Sequence, residues 1–309
     1  QRHFLSLDEL RALVDKAGKD LLRAREKRPR PGLDDKVLTS WNALMIKAFA
    51  DAGAAFRNED YIHVAEKAAS FILHNFVKTD GSLYHTRKNG QSRIDGFLDD
   101  HTFMAGALLR LYEVTANEEW LKESQKVTEN ILKTFRDSAS GLFFYSHANA
   151  GTIVRKIETH DGVIPSSNSA LARHLFRLGS LTSQRELLDK AAVMGTMLSG
   201  ESSVYPSAYA NWCSLGLEKA SPYYVIAVAG ENAMEILREL GGHYIPNTIM
   251  AGSIAPTSLP LWQGKFIEGK TLIYICYGEA CLAPVKTVEE VLRLINDRQS
   301  SENSFTSLR

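Results

Sequence analysis

Three stretches of this 309-residue sequence crowd acids, amides and aromatics more densely than packing requires. The first is Asp34-Asp35-Lys36-Val37-Leu38-Thr39-Ser40-Trp41-Asn42. The second is Gly96-Phe97-Leu98-Asp99-Asp100-His101, and the third runs from His160-Asp161 to Ser166-Ser167-Asn168-Ser169. A shorter cluster is Tyr205-Pro206-Ser207. Paired carboxyls suit sugar chemistry, since two acids about 5–10 Å apart can protonate a glycosidic oxygen and attack or activate water. Asp35, Asp99, Asp100 and Asp161 are the candidate acids and bases, and His101 is a candidate proton carrier near neutral pH. Trp41 offers a ring to stack on a sugar. Asn42, Ser167 and Asn168 are the candidate substrate-binding groups beside it. Each has a plain structural reading as well. Asp99, Ser166 and Ser207 suit helix caps equally. A Trp near the start of a buried helix is often core, and a His on a packed helix is often a satisfied core residue.

The elements that carry these clusters are helical. Ser6-Leu7-Asp8-Glu9 opens a helix with a capping box, and Leu10, Leu13, Val14, Ala17, Leu21 and Leu22 follow at helical spacing until Pro29 and Pro31. Three helical pairs come next, over 40–56 with 59–77, 100–116 with 118–135, and 167–181 with 184–199. The first member of each pair is rich in small and apolar residues, and the second has a charged face. The spacing predicts alternating inner and outer helices repeating every 60–65 residues or so, as in a stacked or toroidal array of hairpins. The polar clusters all precede inner helices, so Asp35, Asn42, Asp99, Asp100, Asp161 and Asn168 are expected at one end of the array. Gly81–His85 and Gly141–Tyr145 read as small strand pieces over the inner helices, and a last helix is expected over 207–218. From 222 the pattern changes to βαβ…βα. Tyr223–Gly230, Ile249–Ala251 and Leu272–Cys276 read as strands, and Glu231–Leu240 and Val288–Ile295 as helices. The expected domains are a helical-hairpin region over 1–220, a small α/β subdomain over 221–299, and a disordered tail over 300–309.

Composition narrows the function classes. Lys+Arg and Asp+Glu are both 36, so the chain carries no bulk charge to attract a nucleic acid or an anionic membrane. No apolar run approaches the ~20 residues of a membrane helix. HExxH, P-loop, GxGxxG and Gly-x-Ser-x-Gly patterns are absent, so neither a metal nor a cofactor is expected. The three cysteines do not make a disulfide scaffold, which together with the lack of a signal peptide favours a reducing, cytoplasmic setting. Cys276 and Cys281 can pair, help bind a metal or fill core. Core filling is the preferred reading, with both buried and unreactive. Cys213 reads as core. The start at Gln1, without an initiator Met, suggests a trimmed, processed or partial chain.

Several motifs, taken in order, resemble one family. They are Arg28-Pro29-Arg30-Pro31, the run Asp34–Ile46, Gly96–Asp100, Ile164–Ser169, and Tyr274-x-Cys276-x4-Cys281-x2-Pro284. The sequence resembles the C-terminal part of the spermatogenesis-associated protein 20 family, from about Leu7 to Ile295. That resemblance implies a mainly α, partial (α/α)6 toroid of the six-hairpin glycosidase-like type with a small C-terminal α/β appendage. In the family a thioredoxin-like domain and earlier hairpins precede this region. His101 stands where relatives often carry an aromatic residue. Two functions follow as expectations. One is carbohydrate binding or processing, of hydrolase or epimerase type, at the toroid mouth. The other is a non-catalytic scaffold working with a thioredoxin-like domain. The expected partners are a sugar ligand and that domain or the missing hairpins. The apolar residues Trp41, Leu44, Met45, Ile46 and Phe49 point to an edge covered by self-association or by the helix over 6–27.

Overall fold

The computed structural model describes residues 5–148, 150–151, 153–278 and 280–306. The chain forms two compact units, residues 1–36 and 37–309. The first holds α1 (Leu7–Glu26), whose start is the expected capping box. Ser6 Oγ accepts from Glu9 N, and Glu9 returns a bond to Ser6 N.

The second unit is built on three helical hairpins. These are α2 (Thr39–Phe56) with α3 (Glu59–Phe76), α4 (Leu98–Thr115) with α5 (Glu118–Thr134), and α6 (Ser167–Thr182) with α7 (Arg185–Met197). Each inner helix stops at a left-handed residue, Arg57, Ala116 or Ser183, and the outer helix starts two residues later. Asn58 and Asn117 then cap α3 and α5 through their side chains. The central inner helix α4 lies between α2 and α6 and is buried nearly all round, down to Tyr112 and Glu113. By contrast α2 buries one face only, through Ala43, Ile46, Ala50 and Gly53. Trp41 is 64% exposed and Met45 57% exposed.

Short strands tie the hairpins at the inner-helix starts. β1 (Val37–Leu38), β2 (Tyr84–Lys88) and β3 (Gln91–Asp95) form an antiparallel sheet in that order. The expected strand at Gly141–Tyr145 is reduced to isolated bridges, Phe143 to Arg136 and Phe144 to Ile157. The helix expected over 207–218 is broken. A short helix α8 (Ser199–Val204) and a single 3-10 turn (Pro206–Ala208) precede α9 (Ala210–Ala220). Proline at 206 has no N–H to continue the helix from α8, so the chain restarts after Tyr209.

The C-terminal part has β4 (Tyr224–Ala229), α10 (Ala233–Gly241), β5 (Thr248–Ser253), β6 (Leu272–Tyr277), β7 (Ala280–Cys281) and α11 (Val288–Thr306). The sheet order is β5-β4-β6-β7, with β4 and β5 parallel and β6 antiparallel to β4. Strand β4 is apolar at every position because both of its faces are covered. Val225, Ala227 and Ala229 join the core of the helical hairpins. Tyr224, Ile226 and Val228 pack with α10 and α11. The texture change near 220 is therefore not a break in the core. Helix α11 continues through 300–306, where a disordered tail is expected from the sequence, and 307–309 lie outside the described residues.

Cys276 and Cys281 form a disulfide across the β6–β7 hairpin, which corrects the core-filling reading. The two are direct partners in the strand register, and Cys281 is exposed. Strand pairing, which spacing alone does not reveal, brings the two sulfurs together.

Candidate functional site

The site is built from the start of α4. Asp100, the third residue of that helix, is fully buried. Its Oδ1 accepts from Ser40 N at 2.9 Å, which fixes the start of α2 beside the start of α4. Its Oδ2 accepts from Phe97 N at 2.9 Å and lies 2.8 Å from His85 Nδ1 on β2. Asp100 is thus a satisfied anchor whose acceptor sites are spent on positioning.

Asp99 is placed differently. It is 7% exposed, and its Oδ1 accepts from Asp100 N at 2.9 Å. Burial pushes its carboxyl up to about 7, with the Asp100 charge next in importance. Glu158 adds to the rise, while His85 opposes it. Near neutral pH such a carboxyl exchanges its proton, as an acid–base group requires. Tyr145 stacks on Phe97 with ring centroids 5.0 Å apart, and Phe97 meets His85 edge-on at 5.1 Å. The Tyr145 phenol is pushed up by burial and by the negative charges of Asp99 and Asp100, so it stays a donor.

The other sequence-derived candidates fall into clear roles. His101 corrects the expectation of a proton carrier: its Nδ1 donates to Phe97 O at 2.8 Å and its Nε2 accepts from Leu83 N at 3.0 Å. Burial pulls its pKa down, so it is a neutral residue with both nitrogens spent on backbone. Asp161 ties two helix starts together, through Ser166 N and Ser169 Oγ of α6 and through Asn211 N of α9. Asn168 is a buried amide clip on Phe143, accepting from its N and donating to its O, both at 2.8 Å. Asn42 donates to Leu38 O within its own turn. Ser167 N donates to Glu158 Oε2 at 3.3 Å, while its buried Oγ has no partner. Trp41 stands exposed. Asp35 belongs to the N-terminal unit and is exposed.

The starts of α2, α4 and α6 therefore do converge. Asp100 joins the first two. The strip Phe143–Tyr145 joins the last two, through Asn168 and through Leu98 N to Tyr145 O at 2.8 Å. His85, Tyr145 and Glu158 are the members that the sequence reading missed. The available signal was that both strand-like pieces, Gly81–His85 and Gly141–Tyr145, end on a polar ring. Among the described residues, no group of three His, Cys, Asp or Glu is placed to hold a metal ion.

A cavity of about 540 Å³ lies along the inner faces of α2, α4 and α6, bounded also by the α10–β5 connection. Its wall carries Arg110, Glu113, Arg173 and Arg177. Glu113 bridges Arg177 Nη2 at 2.7 Å and Arg110 Nη1 at 2.9 Å.

No family model matches the sequence. The chain is similar to spermatogenesis-associated protein 20 of Rattus norvegicus, 29% identical over 317 aligned residues, covering 96% of this chain and 40% of that protein. An uncharacterized protein of Caenorhabditis elegans is 28% identical over 313 residues, covering 95% and 42%. The resemblance read from the motifs is thus borne out, and the chain spans about two fifths of these relatives' length. Among solved structures, the GH76 α-mannanase of Bacteroides thetaiotaomicron superposes with a TM-score of 0.51 at 12% identity, covering 74% of this chain and 66% of that one. The fold is a mainly α, partial (α/α)6 toroid with a C-terminal α/β appendage. No described helix is long and apolar enough to cross a membrane.

Proposed function

We propose that the chain binds carbohydrate at the converged inner-helix starts and that Asp99 is the acid–base group there. The observation that carries this reading is a buried carboxyl held near 7 among Asp100, Glu158 and a stacked Phe97–Tyr145 pair. Sugar chemistry of the hydrolase or epimerase type needs a group that gives or takes a proton at working pH. Asp99 supplies it. Asp100 holds the helix start still, and the Tyr145 phenol donates its hydrogen bond to the Asp99 carboxyl and so orients it. The toroid fold it shares with an α-mannanase makes α-mannosides a first class to try.

The test is a ligand-induced shift in melting temperature with a panel of neutral oligosaccharides, followed by detection of new reducing ends or epimers. Binding with turnover that Asp99→Asn abolishes is the expected result. The second reading, a non-catalytic scaffold for a thioredoxin-like domain, is favoured by one observation. Asp100, Asp161 and Asn168 are all spent on backbone and helix-start hydrogen bonds. If no sugar shifts the melting temperature and a thioredoxin-like domain binds the chain, the scaffold reading replaces the first.

A further inference from the structure

Asp99 does not line the arginine-walled cavity, whose chemistry is more specific. We infer that it binds a small anionic polyol, a sugar or sugar acid carrying a carboxylate or a phosphate. The cavity's 540 Å³ falls within the range of small-molecule sites, roughly 300–1,000 Å³. Four cationic side chains, Lys47, Arg110, Arg173 and Arg177, line it against two carboxylates, Asp51 and Glu113. Each guanidinium is already oriented by neighbours. Arg173 is held by Glu218 and by Asn211 Oδ1. Arg177 is held by Glu113 and the Tyr223 hydroxyl, and Arg110 by Asp51 and Glu113. A guanidinium has five N–H donors. These bonds use three on Arg173 and two on each of the others, so fixed donors remain for an anion.

Two buried polar atoms on the same wall have no partner. Thr102 is 1% exposed and its Oγ1 is unbonded, and His174 is 4% exposed with its Nδ1 unbonded. The His174 tautomer follows from its neighbour. Thr128 Oγ1 donates its proton to Ser124 O at 2.7 Å, so it accepts from His174 Nε2 at 2.8 Å. Nε2 therefore carries the hydrogen and Nδ1 is a bare acceptor. Burial, with the Arg177 charge next, pulls the His174 pKa down to about 3, which keeps the ring neutral. Both unbonded atoms lie just beneath the wall, so a slight turn of the side chain lets the bare acceptor take a hydroxyl from the ligand while the guanidiniums take an anion. Sulfate, an anion with no hydroxyl, answers only the second demand, and a neutral sugar only the first. A stranded buried polar group is costly, so a wall with two of them is ill-suited to core packing and well suited to a polar guest.

The test is calorimetric titration of the full chain with D-glucuronate, D-glucose 6-phosphate, D-glucose and inorganic sulfate. The expected result is that one of the two anionic sugars binds at least about tenfold tighter than both glucose and sulfate. One hydrogen bond or charge contact is worth about that factor. Which of the two wins identifies the carboxylate or the phosphate. Thr102→Val keeps side-chain volume and removes the orphaned hydroxyl. It should weaken that sugar about fivefold or more without lowering the melting temperature. Arg173→Lys serves as the second variant and should also weaken it. Equal binding of sulfate and the sugars would overturn the inference. So would binding untouched by both substitutions, or no heat from any probe at millimolar concentration.

Discussion

Asp99→Asn should make the protein more stable at neutral pH while removing any acid–base activity. Asparagine keeps the Oδ1 acceptor for Asp100 N and resembles the protonated carboxyl in shape and charge. Folding raises the Asp99 pKa from its ordinary 3.8 to about 7, so the folded state holds this proton more tightly than the unfolded chain. The stabilising effect of that proton is fully present below about pH 4 and is lost as pH rises to 7. A displacement of about three pH units at roughly 1.4 kcal/mol each is on the order of 4 kcal/mol, taken as an upper bound. Denaturant unfolding of both proteins at intervals from pH 4 to pH 8 would measure it. The two curves should nearly coincide at pH 4 and separate progressively, with Asp99→Asn the more stable at pH 8. Parallel curves across the range, or an Asp99 carboxyl seen by NMR to titrate near 4, would refute the reasoning.

Other substitutions probe the frame around that group. Asp100→Asn places an amide donor against other donors, Phe97 N–H and His85 Nδ1, or else against Ser40 N–H. A loss of roughly 3–5 kcal/mol in chemical unfolding is expected. Glu113→Gln leaves Arg110 and Arg177 without their shared carboxylate and should cost roughly 3 kcal/mol by the same measurement. Ala116→Gly relieves a left-handed residue at the α4–α5 turn and should raise stability by about 0.5–1 kcal/mol, whereas a loss would show the turn is not strained. Thiol titration of the denatured, unreduced chain should find one free cysteine, Cys213. Three free thiols would remove the Cys276–Cys281 bond from the structure.

The hairpins were legible because helical periodicity is a local signal. Alternation of small apolar helices with charged-face helices marks inner and outer layers directly, and the observed ends fall within two residues of those read from the spacing. The break at Pro206–Tyr209 shows where periodicity misleads, since a proline restarts a helix that its neighbours would continue. Convergence of the polar clusters was also legible, but their roles were not. Whether Asp100 is catalytic or an anchor depends on Ser40 and His85, which lie 60 and 15 residues away. Nothing local in Asp99-Asp100 says that one carboxyl is satisfied and the other destabilised. Arg173 and Arg177 sit four apart on an inner helix, a spacing that puts both on one face. That was a readable sign of a polar interior wall. The Cys276–Cys281 bond needed the β6–β7 register, which the sequence does not print.

Because the starts of α2, α4 and α6 meet, these inner helices run parallel, and their peptide dipoles add. Each contributes roughly half a positive charge at its start and half a negative charge at its end. Three such helices side by side repel one another along their length. The outer members α3, α5 and α7 reverse the direction within each hairpin, so every inner dipole lies beside an opposed one. The electrically balanced unit of this fold is therefore the hairpin and not the helix. A toroid of this kind can be extended or shortened by whole hairpins without leaving an uncompensated helix end, whereas deleting a single outer helix exposes the field of its inner neighbour as well as its apolar face.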